Sequence, residues 1–281
     1  MVQNMKIHFL KTVWSDIIIL ENNNRFALVD TGIKEQYHQL TDYLDKIGAW
    51  KIDFILLTHF HRDHYGNIND LVKNRKVEKV YFKEYGGHDC TTAWGSKADD
   101  EYRQSERENW KQMKKCIEAN SRIEMVENID QIKFSDTVLY LYANENSAQM
   151  IWDDESHPET YHQNAFSENQ NSLSVFFEVN GKTVFLGGDM MDYPSTHPLA
   201  NYATLQVAQK IGKQISLYKA PHHGTNATTC DEALAIFKPE KAVITNGMEW
   251  LAQYPTIDCL KKANPKVEII LTEDSDVIID L

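Results

Sequence analysis

Four side chains that bind metal ions well are crowded into six positions of this chain, and no other feature constrains its fold more. They are His59, His61, Asp63 and His64, within the run Thr58-His59-Phe60-His61-Arg62-Asp63-His64-Tyr65-Gly66. The run follows Ile52 to Leu57, an apolar stretch that predicts a buried strand. A divalent metal needs imidazoles and carboxylates that converge to about 2.0–2.2 Å. The segment therefore predicts a metal site at a strand end, on a loop that Gly66 can bend.

The spacing divides the four residues into two pairs. On an extended loop, alternate positions turn His59 and His61 to the same side. Asp63 and His64 then serve a neighbouring position. A solvated His-rich turn is the plain alternative, but Asp189 and His223 also follow predicted strands. The whole pattern predicts one or two bound divalent metal ions.

Strand and helix patterns alternate along the rest of the chain. The predicted strands are Lys6 to Val13, Asp16 to Glu21, Arg25 to Asp30, Val77 to Phe82, Leu173 to Val179, Thr183 to Leu186 and Ala242 to Thr245. Helices are predicted after Gly32, at Ala98 to Asn120 and at Ser195 to Ile211. Asn180-Gly181 predicts a hairpin turn. No stretch resembles a linker, so a single domain is expected over 1–281.

Composition limits the classes of function. The 281 residues carry a net charge of −12 and no dense Lys/Arg run, which argues against long nucleic acids as partners. The four cysteines are scattered, as in ordinary free thiols. The N-terminus has no apolar leader core, and no apolar run is long enough to cross a bilayer. We expect a cytoplasmic protein without a membrane partner. The sequence leaves the oligomeric state open.

The His-rich segment resembles the His-x-His-x-Asp-His signature of the metallo-β-lactamase superfamily. Three further pieces stand in that family's order: Asp30 in Val-Asp-Thr-Gly, Asp189 in Gly-Gly-Asp, and His222-His223-Gly224. The resemblance spans Asp30 to Gly224, most of the chain. It implies an α/β fold of the αββα type, in which two mixed β-sheets pack face to face between layers of helices.

The resemblance also implies a role for each matching residue. His59 and His61 would bind a first metal, Asp63 and His64 a second, and Asp189 would bridge the two. His223 would complete the ligand set, and His222 would either support the ligands or act as proton donor. The alternative that His222 is the ligand in place of His223 stays open. Asp63 would also orient the metal-bound hydroxide nucleophile and accept its proton. Asp30 and Asn171 would support the ligands without binding metal. Zinc is the expected metal, with manganese or iron as alternatives.

One position departs from the family pattern. Glu168 stands where many members carry a third histidine for the first metal, and Asn169 and Asn171 lie beside it. We therefore expect weak binding of the first metal, or an oxygen ligand there. The alternatives His157, His162 and His197 cannot be ranked from the sequence. The surrounding polar stretch, 144–171, is typical of a functional or mobile loop.

Three short segments narrow the resemblance further. They are Asn171-Ser172-Leu173-Ser174-Val175, Phe185-Leu186-Gly187-Gly188-Asp189 and Lys219-Ala220-Pro221-His222-His223-Gly224. These are similar to the hydrolase domains of competence proteins and to phosphorylcholine esterases. The implied activity is metal-dependent hydrolysis of a small phosphodiester or phosphorylcholine-like ester. The chain lacks the membrane spans, choline-binding repeats and secretion signal of those proteins, so we expect it to be neither outright.

Two other functions fit the same residues. An acyl hydrolase of a lactone, β-lactam or thioester would use the same nucleophile. A non-catalytic protein would hold its metal without an open coordination position. Aromatic residues give one hint about a substrate: Trp94, Tyr102, Trp110 and Trp152 could line a groove for a quaternary ammonium group. The simpler interpretation of the charged 98–120 helix is a solvated face, and a lid or an oligomer contact is the alternative.

Overall fold

The computed structural model of the chain describes residues 4–85, 97–126, 130–144, 168–192, 203–225 and 231–281. Two seven-stranded sheets contain most of the strands. Their bounds are β1 Met5–Phe9, β2 Ile17–Asn22, β3 Arg25–Thr31, β4 Lys51–Ile52, β5 Phe54–Leu56, β6 Lys76–Val77, β7 Lys79–Phe82, β8 Arg122–Met125, β9 Asp130–Phe134, β10 Thr137–Ala143, β11 Leu173–Val179, β12 Lys182–Leu186, β13 Leu217–Lys219, β14 Lys241–Ile244, β15 Glu268–Leu271 and β16 Val277–Asp280.

The two sheets repeat one plan. The strand order is β16-β1-β2-β3-β5-β7-β8 in the first sheet and β15-β14-β13-β12-β11-β10-β9 in the second. In each, an antiparallel part joins a parallel part: β3, β5, β7 and β8 run parallel in the first, and β12 to β15 in the second. Strands β4 and β6 form a separate two-stranded ribbon. Because parallel strands end at a common edge, the loops that follow them meet there.

Helices cover the outer faces. Their bounds are α1 Tyr37–Lys46, α2 Arg62–Tyr65, α3 Ile68–Asn74, α4 Lys97–Asn120, α5 Ala203–Ile211, α6 Asp231–Phe237, α7 Met248–Leu251 and α8 Thr256–Ala263. Short 3₁₀ helices occur at Lys34–Gln36, Glu168–Asn171 and Pro221–Gly224. In the described ranges, none of these helices combines the length and apolarity that a membrane crossing needs.

Three apolar clusters separate the layers. One packs α1, α3 and α4 on the first sheet, with Leu40, Leu71 and Met113 fully buried. The second fills the space between the sheets and contains Ile18 and Phe177. The third packs α5, α6 and α8 on the second sheet. Each sheet carries buried apolar side chains on both faces, because helices cover one face and the partner sheet covers the other. The expected αββα order of layers is therefore confirmed.

The structure also shows where local patterns misled. The predicted strand at 6–13 ends at Phe9, and the one at 52–57 divides into β4 and β5. Strands β8, β9 and β10 were not predicted, although the side chains of β10 alternate between buried and more exposed positions as in a strand covered on one face. The Asn180-Gly181 turn is confirmed, with φ of 49° and 76°, as a type I′ hairpin requires. For the predicted helix 195–211, the described part is α5.

Candidate metal centre

The candidate ligands lie at the common edge of the two sheets, on loops that follow parallel strands. Two groups of side chains converge there, and within each group the candidate ligand atoms lie within 4.8 Å of one another. One group contains His59, His61 and Asp189, and the other contains Asp63, His64, Asp189 and His223. Asp189 belongs to both groups, where the family resemblance places a bridging ligand. The structure thus brings together the six residues that the sequence singled out as ligands.

The second group has the dimensions of a tetrahedral metal site. His64 Nε2 lies 3.5 Å from Asp63 Oδ2 and 3.2 Å from Asp189 Oδ2. His223 Nε2 lies 3.2 Å and 3.6 Å from the same two oxygens. Two ligands bound tetrahedrally at about 2.1 Å from one zinc ion are about 3.4 Å apart. The four contacts scatter around that value. The cage, as we call the group of Asp63, His64, Asp189 and His223, therefore fits a zinc-sized ion.

The first group is less complete. His59 Nε2 lies 2.9 Å from His61 Nδ1 and 3.7 Å from Asp189 Oδ2. His59 is buried, and that burial holds the pKa of its imidazole well below the usual range. A neutral imidazole is the form that binds metal. Three ligand atoms are enough for a catalytic metal but leave this position with fewer protein ligands than the second group has.

Unpaired buried atoms offer a second test of whether metal fits. His64 Nε2 and Asp189 Oδ1 are both buried and have no hydrogen-bond partner among the described residues. Buried polar atoms without partners cost free energy, so such atoms are uncommon away from functional sites. His64 Nε2 belongs to the second ligand group, where metal coordination would satisfy it, whereas Asp189 Oδ1 lies 3.9 Å from the Lys219 ammonium nitrogen. The donor set and the geometry therefore fit a divalent metal.

Asp30 anchors the loop after β5, which carries His59, His61, Asp63 and His64, through hydrogen bonds. The Thr58 backbone N–H donates to Asp30 Oδ1, and the Thr58 hydroxyl donates to Asp30 Oδ2, both at 2.8 Å. Asp30 Oδ2 also lies 2.7 Å from His64 Nδ1. Because Nδ1 of His64 is engaged by this carboxylate, Nε2 faces the metal position. This is the supporting role that the sequence predicted for Asp30.

His223 owes its orientation to a strained loop. His222 and His223 have φ of 46° and 53°, in the left-handed region that side chains disfavour. The His222 N–H donates to the Gly188 carbonyl at 3.0 Å, which ties this loop to the one that carries Asp189. Of the two histidines, His223 joins the ligand group. His222 is half-buried, and its Nδ1 lies 3.1 Å from the Thr225 hydroxyl.

A buried ion pair beneath His223 was not anticipated from the sequence. Asp16 Oδ1 lies 3.3 Å from His223 Nδ1, and Thr245 Oγ1 lies 2.9 Å from the same nitrogen. Asp16 also pairs with the ammonium group of Lys219, which is fully buried and donates to the Gly188 carbonyl at 3.1 Å. The Thr245 hydroxyl donates to Asp16 at 2.6 Å. Asp16 therefore does for His223 what Asp30 does for His64.

The carboxylates and imidazoles of the centre hold one another in charged forms. Burial opposes ionisation of Asp189, but the charges of His64 and His223 keep the pKa of its carboxyl well below the usual range. Burial also disfavours a charged His223, yet Asp189 and Asp16 raise the pKa of His223 to about 9. In the same way Asp189 and Asp30 outweigh burial and raise the pKa of His64. The carboxylates thus require positive charge here, which imidazole protons or a divalent metal can supply.

Close backbone packing places Asp189. Gly188 has a φ of 54°, and a Cβ there would lie 2.4 Å from Ser172 Oγ and 2.5 Å from the Leu173 carbonyl. The Asp189 N–H donates to the same Ser172 hydroxyl at 2.9 Å. Only glycine tolerates both the positive φ and the close approach of Ser172 and Leu173 at position 188. The Gly-Gly-Asp motif is therefore a packing requirement that brings the bridging candidate to the edge.

Glu168 and Asn171 lie in a neighbouring polar cluster. The Asn171 side-chain amide donates to Glu168 Oε1 at 3.0 Å and to the Glu84 carbonyl at 2.9 Å. Lys83 is close to Glu168, and burial lowers the pKa of the Lys83 ammonium to about 8. The ligand groups found among the described residues do not include Glu168. His157, His162 and His197 lie outside those residues, so a third histidine or a substitute for it at the first metal stays a prediction.

The predicted aromatic groove is wrong in one member. Trp110 is buried and packs edge-on against Phe60 and Phe82, each with ring centroids 5.1 Å apart. It belongs to the core beneath α4, because the helix turns its apolar face to the first sheet. Trp94 and Trp152, like the side chain of Tyr102, lie outside the described residues. The 144–171 loop does so over most of its length.

The long helix contributes a clamp that sequence reasoning missed. Glu106 of α4 is almost fully buried and pairs with the guanidinium of Arg62, which stands between two candidate ligands. The Tyr65 hydroxyl donates to Glu106 Oε2 at 3.2 Å. Arg62 and Tyr65 form the ends of α2, which carries Asp63 and His64. Glu106 lies on the apolar face of α4, which could have indicated a buried contact. The many other acidic residues of the helix made it hard to single out.

Comparisons with known proteins agree with this arrangement. Residues 15–143 match the family model described as the metallo-beta-lactamase superfamily. ComE operon protein 3 of Bacillus subtilis (strain 168) is 21% identical over 208 residues. That match covers 74% of this chain but only 22% of the relative, so the chain corresponds to about a fifth of that protein.

Solved structures show the same fold. The metallo-beta-lactamase fold protein YhfI from Bacillus subtilis has a TM-score of 0.57 at 11% identity, and the match covers 99% of this chain and all of YhfI. A diphosphatase from the PhnP family has a TM-score of 0.50 at 13% identity, over 95% of this chain and 85% of that one. The family model matches a little under half of the chain, so this protein is similar to members of the metallo-β-lactamase superfamily and shares their fold.

Proposed function

We propose that this protein is a metal-dependent hydrolase of a small phosphodiester or a phosphorylcholine-like ester. The observation that carries the proposal is the position of Asp189, which belongs to both ligand groups and whose Oδ2 lies 3.7 Å from His59 Nε2 and 3.2 Å from His64 Nε2. This is the arrangement expected of a carboxylate that joins two metal positions. Two adjacent metals suit displacement at phosphorus, where attacking and leaving oxygens both need stabilisation.

The expected metal is zinc, since histidine nitrogens and aspartate oxygens make up the donor set. A divalent metal supplies two things when bound: it acidifies water and neutralises negative charge on substrate oxygens. The protein's own residues then orient the reactants. Asp63 is the most exposed carboxylate of the cage, with 29% of its side chain accessible, so it can accept a hydrogen bond from an attacking water molecule. His222 stands next to the cage and can donate a proton to a leaving group.

Burial bears directly on that role of His222. It lowers the pKa of the His222 imidazole to about 4, so the ring is neutral at pH 7 before substrate arrives. The neutral ring must therefore take up a proton before it can donate one, and we propose that it does so when the substrate binds. His223 is engaged by Asp16 and Thr245 and cannot turn to serve in its place.

Size and charge of the substrate follow from the whole chain. The net charge of −12 disfavours long polyanions, although a metal centre can attract one phosphate locally. The structural likeness to a diphosphatase supports chemistry at phosphorus. Lactone, β-lactam or thioester hydrolysis is the competing proposal, because the same residues would serve attack on a carbonyl carbon. A non-catalytic metal protein is the third.

A side-by-side assay separates these proposals. The protein would be loaded with zinc or manganese and given a bis-aryl phosphodiester, an aryl phosphorylcholine and a lactone. Asp63→Ala removes a cage ligand and should lower turnover by more than about a hundredfold, beyond the loss typical of residues that only support ligands. Asp258→Ala, an exposed aspartate on α8, is the matched control and should retain full activity.

The outcomes assign the reaction class. Turnover of either phosphodiester, lost in Asp63→Ala and kept in Asp258→Ala, would support the proposal. Turnover of the lactone alone would move the protein to acyl hydrolysis. Tight zinc binding without turnover of any of the three would favour the non-catalytic protein.

A further inference from the structure

An exposed apolar surface lies directly beside the metal centre. We call it the apolar wall, and it consists of Val13, Trp14, Met248 and Trp250. Three of these side chains are unusually accessible for their type: 38% for Val13, 50% for Met248 and 45% for Trp250. Val13 and Trp14 come from the loop between β1 and β2, and Met248 and Trp250 come from α7. Two segments far apart in sequence therefore build one surface.

Contacts connect the wall to the candidate ligands. The Trp14 ring lies 6.2 Å from the His223 ring, and the Trp250 ring meets Trp14 edge-on at 5.6 Å with an interplanar angle of 87°. Val13 reaches α7 near Gly247, where a Cβ would lie 3.8 Å from Val13 Cγ2. The wall therefore begins one side chain away from the cage and extends outward to Trp250.

Trp14 has a strained backbone conformation that hydrogen bonds to neighbouring segments maintain. Trp14 has a φ of 60°, a left-handed conformation that is rare for a bulky residue. Its N–H donates to the Thr245 carbonyl at 3.2 Å, and the Asp16 N–H donates to the Asp63 carbonyl at 3.2 Å. The loop is thus tied on both sides to segments that carry the metal centre. Strained conformations persist where surrounding structure enforces them, and they concentrate at functional sites.

Exposure of this kind is not general on the protein. Among the described residues, seven large apolar side chains are exposed, and three of them lie in the wall. The other four are Trp50, Met125, Tyr140 and Ile278. Contiguous exposed apolar surface beside a polar centre is typical of ligand binding. Glu249 and Glu273 border the wall, since Glu249 lies on α7 and Glu273 accepts the Met248 N–H at 3.0 Å.

We propose that the apolar wall binds the non-reacting aryl or alkyl group of the substrate ester while the metal centre holds the reacting group. The inference rests on the proposed function, because it assumes that an ester oxygen binds at the metals. A substituent on that ester must then extend past His223 along Trp14 towards Trp250. The flanking glutamates disfavour a negatively charged substituent. The protein should therefore prefer esters whose apolar group is uncharged or cationic over esters whose group is anionic.

Binding of two phosphonates tests the wall without requiring turnover. Zinc-loaded protein would be titrated calorimetrically with phenylphosphonate and with methylphosphonate, which share the metal-binding head and differ in the apolar group. The phenyl compound should bind about tenfold more tightly, as burial of one ring predicts. Trp250→Ala should reduce that preference to about twofold to threefold. Trp250→Phe should keep most of it.

Trp50→Ala is the matched control, because Trp50 is an exposed tryptophan, 68% accessible, outside the wall. It should leave the preference unchanged. Equal affinities of the two phosphonates, binding of neither, or an unchanged preference in Trp250→Ala would each overturn the inference. A phenyl preference that Trp250→Ala removes would support the inference even if no ester is hydrolysed. In that case the apolar wall would be a binding surface, and the proposed function would be wrong. Ester turnover together with equal affinities for the two phosphonates would support the proposed function and contradict binding at the apolar wall.

Discussion

Each of two histidines in the cage has its own acidic partner on the side away from the metal position. Asp30 engages Nδ1 of His64 at 2.7 Å, and Asp16 lies 3.3 Å from Nδ1 of His223. Partners of this kind fix which ring nitrogen carries the proton and leave Nε2 available as a ligand. Asp16 differs from Asp30 in having a fully buried ammonium group, that of Lys219, as its counterion.

Lys219→Met should therefore destabilise the protein strongly. The change leaves Asp16 as a buried carboxylate without its ammonium partner, and breaking a buried pair in this way costs about 3–5 kcal/mol in the free energy of unfolding. Urea denaturation of the two proteins measures the difference. Adding Asp16→Asn to Lys219→Met should recover part of the loss, because the unpaired charge is then removed.

The control for Lys219→Met is Lys213→Met. Lys213 also pairs with a carboxylate, that of Glu178 at 2.6 Å, but both side chains are about half exposed. Exposed pairs contribute less than about 1 kcal/mol. A loss of similar size in the two variants would show that Lys219 acts only through its aliphatic chain.

Asp192 makes the stability of the fold depend on pH. It is buried, its Oδ1 accepts the Thr204 N–H at 2.8 Å, and burial raises the pKa of its carboxyl to about 7 from an ordinary value of 3.8. Between pH 4 and pH 7 the folded protein therefore holds a proton that the unfolded chain has released. By proton linkage, stability falls as pH rises through this window.

Asp192→Asn removes that proton equilibrium and keeps an oxygen for the Thr204 N–H. The variant should gain stability relative to the original protein as pH rises, by about 3 kcal/mol between pH 5 and pH 8. Denaturant titrations of both proteins at the two pH values give this difference. A gap that stays constant with pH would show that Asp192 is ionised in the folded state throughout.

Among the elements, α4 acts on the ligand loop from outside. Its apolar face, with Trp110, Met113 and Ile117 buried, packs on the first sheet. The buried Glu106 reaches Arg62 and Tyr65 at the two ends of α2. The helix therefore holds a four-residue segment that would be too short to form on its own. The predicted amphipathic helix is confirmed, and its role is more specific than a solvated face.

Glu106→Ala should loosen α2 and weaken zinc binding by about tenfold to a hundredfold, as losses of residues that orient ligands usually do. Equilibrium dialysis with zinc measures the affinity. Glu108→Ala on the exposed side of the same helix is the control and should bind zinc normally. If both variants bind zinc like the original protein, α4 only covers the core and does not position the loop.

At the scale of the whole molecule, metal binding should be coupled to folding. Carboxylates and imidazoles from β-strand ends of both sheets meet at the centre, so an ion bound there links the two halves of the fold. Zinc at one hundred times its dissociation constant should stabilise the folded state by about 2.7 kcal/mol per site. This corresponds to a rise of about 5 °C in Tm.

Calorimetric or fluorescence melting with zinc and with a chelator measures this rise. Asp63→Ala should show a much smaller change, since one cage ligand is missing. Equal Tm values of the original protein with zinc and with chelator would contradict a metal centre that joins the two sheets.

Much of the candidate site could be predicted from the sequence because its signals are local. His59, His61, Asp63 and His64 occupy one loop after one strand, and strand and loop are both visible as short patterns. The Asn180-Gly181 hairpin and the α1 face with Leu40 and Leu44 are equally local. Such features depend on backbone conformation over a few residues, which neighbouring side chains largely determine.

The rest depends on contacts between distant parts of the chain. Asp16, Lys219 and Thr245 are separated by more than two hundred residues from first to last, and only the closure of the two sheets brings them beneath His223. A lone aspartate in a loop or a lone lysine at a strand end carries no local mark of burial. The same holds for Trp14 and Trp250, whose contact joins the first hairpin loop to α7.

The sequence alone therefore determined the chemistry of this protein: which side chains can hold metal, in what order, and at the ends of which strands. Tertiary structure decided which partners orient those side chains, that His223 and not its neighbour joins the cage, and that an apolar surface lies next to it. The physical reason is range. Ligand identity and strand periodicity are written in adjacent residues, whereas burial and charge pairing arise only when the two sheets pack together.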